Sequence, residues 1–226
     1  MARDSESSAQ WLLRGNSHMD VPRAYDAIVL AGTAPATTPS SSGMGAGNKA
    51  LLDIEGRPML SYVVDALMAS GRVRRLILAG LTDVDSLGLS LACPLACLPD
   101  RHSMIGNLLS AIEAIQAAEP ILICSCDLPL LSGDAVDDFI RRSEESGAEL
   151  CYPVVPRETM EARFPGSGRT FVRLAEGHFA GGDLSLLSPD LVRRNADFGR
   201  SLSENHKSPV RLARILGLRS NADTTS

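Results

Sequence analysis

A strand that breaks into a glycine loop constrains this chain more than any other stretch. Ala27-Ile28-Val29-Leu30 is a short apolar run, followed at once by Ala31-Gly32, then by a loop holding Gly43, Gly45 and Gly47, and then by Lys49. An apolar run of this length bounded by turn residues reads as a buried strand. Glycine carries no side chain to keep an anion away, so such a loop can turn backbone N–H groups toward a phosphate. Lys49 adds a compact positive charge of the kind that binds phosphate. The segment from residue 33 to 48, with Thr37, Thr38, Ser40, Ser41 and Ser42 beside its glycines, cannot pack a core and belongs at the surface. Loops longer than about 12 to 15 residues inside a domain are usually functional or disordered.

Composition narrows the class. The chain has 226 residues with 22 basic and 27 acidic side chains, a net charge of -5, long enough for one substantial core. Without a basic excess there is no electrostatic footprint for nucleic acid, which argues against that partner but not against a small anion. The five cysteines, Cys93, Cys97, Cys124, Cys126 and Cys151, are odd in number, and residues 1–20 lack the apolar core of a signal peptide. A reduced, cytoplasmic protein is expected. Neither close cysteine pair has zinc-ribbon spacing, and no apolar run approaches the roughly 20 residues needed to span a bilayer, so no membrane is implied.

Along the chain, residues 1–20 are polar and Ser-rich apart from Trp11, Leu12 and Leu13; they read as a loose arm. Pro58 opens a helix whose apolar face is Met59, Tyr62, Val63, Ala66 and Leu67, and Gly71 ends it. Val73 and residues 76–79 form the next strand, closed by Gly80. A weak strand near residues 96–98 precedes a helix over 105–117, buried through Leu108, Ile112 and Ile115. Residues 121–126 are apolar except Ser125, as in a central strand covered on both faces. This strand runs into Asp127-Leu128-Pro129, and Ser132 or Asp134 caps a helix with Val136, Phe139 and Ile140 inward. Strands alternating with amphipathic helices predict a three-layer α/β/α domain with a mostly parallel, Rossmann-like sheet. From residue 150, short extended segments with Gly and Pro suggest a smaller, more antiparallel half. A helix begins at Ser188-Pro189-Asp190 and runs to about residue 194, a last short helix covers 210–216, and residues 219–226 form a loose tail. The expected division is one domain over 21–218, with a larger half at 21–147 and a smaller one at 148–218.

Asp127 follows a buried strand on the rim where ligands of such sheets bind, at the carboxyl ends of the strands. Its alternatives are a metal ligand, since Mg²⁺ takes one or two carboxylates together with substrate phosphates, or a plain cap ahead of Pro129. Lys49 is either a phosphate contact or an exposed lysine on a polar loop. Gly106-Asn107 opens a helix; the Asn amide offers both a donor and an acceptor or serves a cap, as Ser103 or Asp100 could. Gly181-Gly182-Asp183 is a good turn sequence and also places a carboxylate in the second half. Arg169, Thr170 and Arg173 are candidates for an acceptor anion, or solvent-facing strand residues.

Leu30-Ala31-Gly32, Lys49 and Ile54-Glu55-Gly56-Arg57-Pro58-Met59-Leu60 together resemble the signature of the nucleotidyltransferases built like the molybdenum-cofactor guanylyltransferase, the MobA-like NTP transferases. Cys126-Asp127-Leu128-Pro129 followed by Leu130-Leu131 is similar to their Asp-x-Pro-Leu metal motif. The resemblance spans about residues 25–216 and implies a nucleotide-diphospho-sugar transferase fold of GT-A-like type. It assigns nucleotide binding to Leu30, Ala31, Gly32, Gly45, Lys49, Gly106 and Asn107. Acceptor contact falls to Gly181, Gly182 and Asp183, catalysis to Lys49 and Asp127, and Mg²⁺ to Asp127 and Asp183. Thr33 stands where the second loop glycine is usual, and Gly43 where an arginine commonly precedes Met-Gly, so Arg57 or Arg101 is left to replace that clamp. The implied reaction moves a nucleoside monophosphate from a nucleoside triphosphate, GTP first and CTP second, to a phosphorylated small molecule, releasing pyrophosphate. A homodimer is compatible with this reading. The rivals are a catalytically degenerate nucleotide-binding regulator, and a glycosyltransferase of related fold, whose Asp-x-Asp motif Ser125 would interrupt.

Overall fold

The computed structural model describes residues 22–32 and 48–197; Gly45 and the helix expected at 210–216 lie outside them. The first strand, β1 (Tyr25–Leu30), is followed after the loop by a 3-10 turn at Lys49–Leu51 and a small hairpin of β2 (Asp53–Ile54) and β3 (Arg57–Pro58). Helix α1 (Met59–Ala69) and strands β4 (Val73–Ala79) and β5 (Leu95–Leu98) come next, then α2 (Met104–Ala114), β6 (Ile121–Ser125) and α3 (Gly133–Ser146). The second half holds β7 (Leu150–Cys151), β8 (Val154–Pro156), α4 (Arg157–Arg163), β9 (Val172–Leu174), β10 (Gly177–Gly181), β11 (Leu184–Leu187) and α5 (Pro189–Arg194).

The main sheet has the order β5-β4-β1-β6-β11-β7. Its first four strands are parallel neighbours, and β11 then enters antiparallel to β6. The three-layer expectation therefore stands. Side-chain alternation divides the core: Ala27, Val29, Leu76, Leu78, Leu122 and Cys124 face α1 and α3, where Leu60, Val63, Leu67, Val136 and Ile140 meet them. Ile28, Ile77, Ala79, Ile121 and Ile123 face Leu108, Ala111 and Ile112 of α2. Full burial on both faces is why these strands are continuous apolar runs rather than alternating ones.

Chain order and strand order part company at β1. The chain runs outward through β4 and β5, then returns to lay β6 on the other side of β1. The segments leaving β1 and β6, which lead to α1 and α3 on one face, therefore stand side by side at the carboxyl ends of these strands, where the strand order reverses and ligands of an open α/β sheet bind.

Several boundaries differ from expectation. Pro58 pairs with Asp53 in the hairpin and precedes α1 rather than occupying it. The hairpin turns through Glu55 at φ 51 and Gly56 at φ 81, which the motif alone did not show. Helix α2 stops at Ala114, because Gln116 takes φ 50 and the Ala117 N–H returns to the Ile112 carbonyl at 3.0 Å. Ser132, not Asp134, caps α3, accepting the Ala135 N–H. The second half is split: β8, β10 and β9 form a separate antiparallel sheet, whereas β7 and β11 extend the main one.

Candidate active site

The rim beyond β1 is built by close backbone approach. The Ala31 N–H donates to the Ala79 carbonyl at 2.8 Å, and the Gly80 N–H to the Leu98 carbonyl at 2.9 Å, so strand pairing continues past the strand ends. Gly80 has φ 103, and a Cβ on it would lie 2.4 Å from both the N and Cα of Gly32. A Cβ on Gly32 would in turn lie 2.3 Å from Nδ2 of Asn107 and 2.8 Å from Oδ1 of Asp100. Only glycines let these turns pack together.

Asn48 brings the long loop back to this rim. Its Nδ2 donates to the Ala31 carbonyl at 2.6 Å and its Oδ1 accepts the Ala50 N–H at 2.9 Å. One amide therefore ties the chain to the end of β1 and caps the turn that carries Lys49. Sequence reasoning passed over Asn48, although an Asn directly before a short helical run is a capping signal.

Lys49 and Asp127 meet on this rim, with Nζ 3.5 Å from Oδ2. Their side chains are 68% and 34% exposed, so water and ligands reach the pair. The other carboxylate oxygen of Asp127, Oδ1, accepts the hydroxyl of Ser125, the last residue of β6. Each oxygen has its own partner, which fixes the carboxylate plane with Oδ2 toward the cleft. Ser125 was legible as the single polar residue of an apolar strand, but its partner was not.

Gly106 and Asn107 have internal reasons for their identities. Ser103 caps α2 by accepting the Gly106 N–H at 3.0 Å, and a Cβ on Gly106 would lie 2.6 Å from that Oγ. Asn107 is buried; its Oδ1 accepts the Arg101 N–H at 2.7 Å and its Nδ2 donates to Asp100 at 3.0 Å. It braces the loop from residue 100 to 103 against Gly32, and Ser103 rather than Asn107 caps the helix. Arg57 is held by Asp65 at 2.6 Å and lies over the Tyr62 ring, while Arg101 Nε reaches the Ser110 hydroxyl at 3.4 Å.

The second half delivers Asp183 to the same rim. Its carbonyl accepts the Ser125 N–H at 2.9 Å, directly before β11 pairs with β6. Gly181 and Gly182 owe their smallness to packing: a Cβ would lie 2.2 Å from the Tyr152 hydroxyl oxygen at the first and 2.7 Å from Pro153 Cγ at the second. Burial drives the Cys124 thiol well above the ordinary thiol range, and the charges of Asp183 and Asp127 push the same way. Both carboxylates thus lie within electrostatic reach of one sulfur. Burial and Asp127 likewise raise Cys126, to about 11. Both thiols are held protonated, the opposite of what a nucleophile or thiolate ligand requires.

Among the described residues no group of three or more His, Cys, Asp and Glu side chains could by itself enclose a metal ion. Two oxygen donors on one rim, open to solvent, fit a cation that completes its shell with substrate phosphates and water. No helix of the described residues is long and apolar enough to cross a membrane.

Comparison with known proteins bears on this geometry. The family model for the MobA-like NTP transferase domain matches residues 27–197. A hypothetical transferase from Thermus thermophilus is 36% identical, with a TM-score of 0.65 over 84% of this chain and 77% of that one. The CMP:2-keto-3-deoxy-manno-octonic acid synthetase complexed with CTP is 16% identical, with a TM-score of 0.59 over 86% of this chain and 87% of that one. HddC from Yersinia pseudotuberculosis, complexed with GMP-PN, is 18% identical, with a TM-score of 0.53 over 74% and 78%. These last two share the fold. A search of curated proteins gave no match. A parallel sheet with a glycine rim, and Lys49 facing Asp127 at its switch point, accords with the family match: the chain belongs to the MobA-like NTP transferase family and is a nucleotidyltransferase.

Proposed function

We propose that the protein transfers a nucleoside monophosphate from a nucleoside triphosphate to a phosphorylated small molecule, with release of pyrophosphate. The observation that carries this reading is the Lys49–Asp127 pair, 3.5 Å apart at the switch point and open to solvent. In such a transfer the acceptor oxygen attacks the α-phosphorus in line, so the protein needs no nucleophile of its own. What it supplies is alignment and neutralisation of charge. The triphosphate lies along Ala31, Gly32 and Lys49. Asp127 and Asp183 would hold Mg²⁺, which supplies charge neutralisation at the phosphates when bound. Ser125 orients Asp127, and Asn48 places Lys49. GTP is the first nucleotide on this reading and CTP the second.

Pyrophosphate release measured with each nucleoside triphosphate, Mg²⁺ and pools of phosphorylated metabolites tests the proposal. Release that needs one triphosphate and a pool component supports it. Nucleotide binding without pyrophosphate release from any combination overturns it. A thermal-shift panel ranks the triphosphates beforehand, since a ligand at 100 times its dissociation constant stabilises by about 2.7 kcal/mol.

A further inference from the structure

Each of the two rim carboxylates carries its own cation, drawn from a different half of the chain. Lys49, from the segment after β1, faces Oδ2 of Asp127 at 3.5 Å. Arg169, from the loop between α4 and β9, donates to Oδ2 of Asp183 from Nη1 and Nη2 at 3.4 and 3.3 Å. The carboxylates stand at the same antiparallel step, where β6 leaves the sheet and β11 enters it. The four charges sum to zero. Arg169 and Asp183 are 41% and 38% exposed, so the pair is screened and exchanges partners at little cost. The loop bearing Arg169 contains Gly166 at φ 72 and Gly168 at φ 65, which frees its backbone just ahead of the guanidinium.

Resting on the reading of Asp127 and Asp183 as metal carboxylates, we infer that Arg169 is the acceptor-side counterpart of Lys49. It neutralises Asp183 until a divalent cation takes that carboxylate, and then turns its guanidinium to an oxyanion of the acceptor. The charge balance is the argument. A divalent cation adds two positive charges where two basic side chains already neutralise two carboxylates, so both become surplus together. Lys49 is placed to meet the triphosphate. Arg169 comes from the second half of the chain, and its charge, like that of Asp183, acts on Tyr152. A planar fork of donors matches a phosphate monoester better than a neutral hydroxyl acceptor. Metal and acceptor anion therefore favour each other's binding, and by linkage the effect is reciprocal.

Binding of Mn²⁺ alone, followed by electron paramagnetic resonance of the free ion without nucleotide, tests this. Sulfate serves as the oxyanion against chloride at matched ionic strength. Arg169→Ala should bind Mn²⁺ about two- to fivefold more tightly than the wild type, the range set by an exposed ion pair. The gain should vanish when Asp183→Asn is added. Sulfate should tighten Mn²⁺ binding in the wild type and not in Arg169→Ala. Unchanged or weaker Mn²⁺ binding by Arg169→Ala, or a sulfate effect that survives it, overturns the inference. If Asp127→Asn and Asp183→Asn bind Mn²⁺ as the wild type does, the metal reading itself has failed and the exchange falls with it. If they lose Mn²⁺ while Arg169→Ala changes nothing, only the exchange falls.

Discussion

Lys49 Nζ lies 3.5 Å from Asp127 Oδ2, although the two residues follow different strands and share no local element. The contact exists because β6 returns to the side of β1 away from β4, which sets the two loops face to face. Lys49→Ala and Asp127→Asn should each lower pyrophosphate release about a hundredfold or more, the scale of losing one electrostatic contact to the reacting group. Neither should lower stability much, because an exposed ion pair contributes at most about 1 kcal/mol. Turnover and thermal melts of the two variants check this; a rate near wild type for Lys49→Ala would remove it from the mechanism.

Ser125 is expected to act through Asp127 rather than on substrate. Its hydroxyl holds Oδ1, so Ser125→Ala frees the carboxylate to rotate away from the cleft. The concentration of Mg²⁺ needed for half-maximal rate should rise about three- to tenfold, consistent with a lost hydrogen bond to a charged group. Ser125→Thr, which keeps the hydroxyl, should restore it. Equal Mg²⁺ requirements for wild type and Ser125→Ala would show that the hydroxyl does not position the carboxylate.

Gly80 is a stability position on the rim. At φ 103, with Gly32 atoms 2.4 Å from where its Cβ would stand, Gly80→Ala combines backbone strain with a backbone clash. The expected loss is about 2–4 kcal/mol, which lowers Tm by about 5–15 °C in a domain of this size. Gly88→Ala is the control: φ is 59 and nothing lies within 4 Å of its Cβ position. It should lose only the left-handed backbone penalty of about 1–2 kcal/mol. Equal losses in the two melts would show that the contact with Gly32 carries no cost.

The opposite end of the sheet predicts the pH profile. Burial pushes the Asp26 carboxyl up, but hydrogen bonds and charge from Arg75 and Arg74 outweigh it and hold the group below its ordinary 3.8. A lowered folded-state value means stability fully present above the unfolded value and lost as pH falls through the folded one. Burial and the hydrogen bond to Glu144 raise Tyr25 to about 12, so the folded form holds its proton longer than the unfolded chain. That contribution is present below about 10, the unfolded value, and is lost as pH rises toward 12. Denaturant titrations across pH should therefore fall at both ends. Asp26→Asn should flatten the branch below pH 4, and Tyr25→Phe the branch above pH 10, each relative to its own value at pH 7.

Elements set by local rules were readable in the chain. Residues 121–126 gave a central strand because burial on both faces leaves only apolar choices, and α1 and α3 gave helices because their apolar residues recur at helical spacing. Lys49 and Asp127 could be picked out as candidates because each is a charged residue beside a glycine loop or at the end of an apolar strand. The strand β11 could not, since Leu184–Leu187 follows a turn and carries no sign of which neighbour it will join. Nor could the amide of Asn107, whose partners come from the preceding loop, or the contact of Gly80 with Gly32.

The amino-acid sequence by itself determined the alternation of strands and helices, the glycine rim and the chemical types at the site, because these depend on neighbours a few residues apart. Strand order was decided only in the tertiary structure, and with it the pairing of Lys49 with Asp127 and of Arg169 with Asp183. The physical reason is range: hydrophobic periodicity is a property of one segment, whereas an ion pair between two loops requires two segments that meet only when the sheet is assembled.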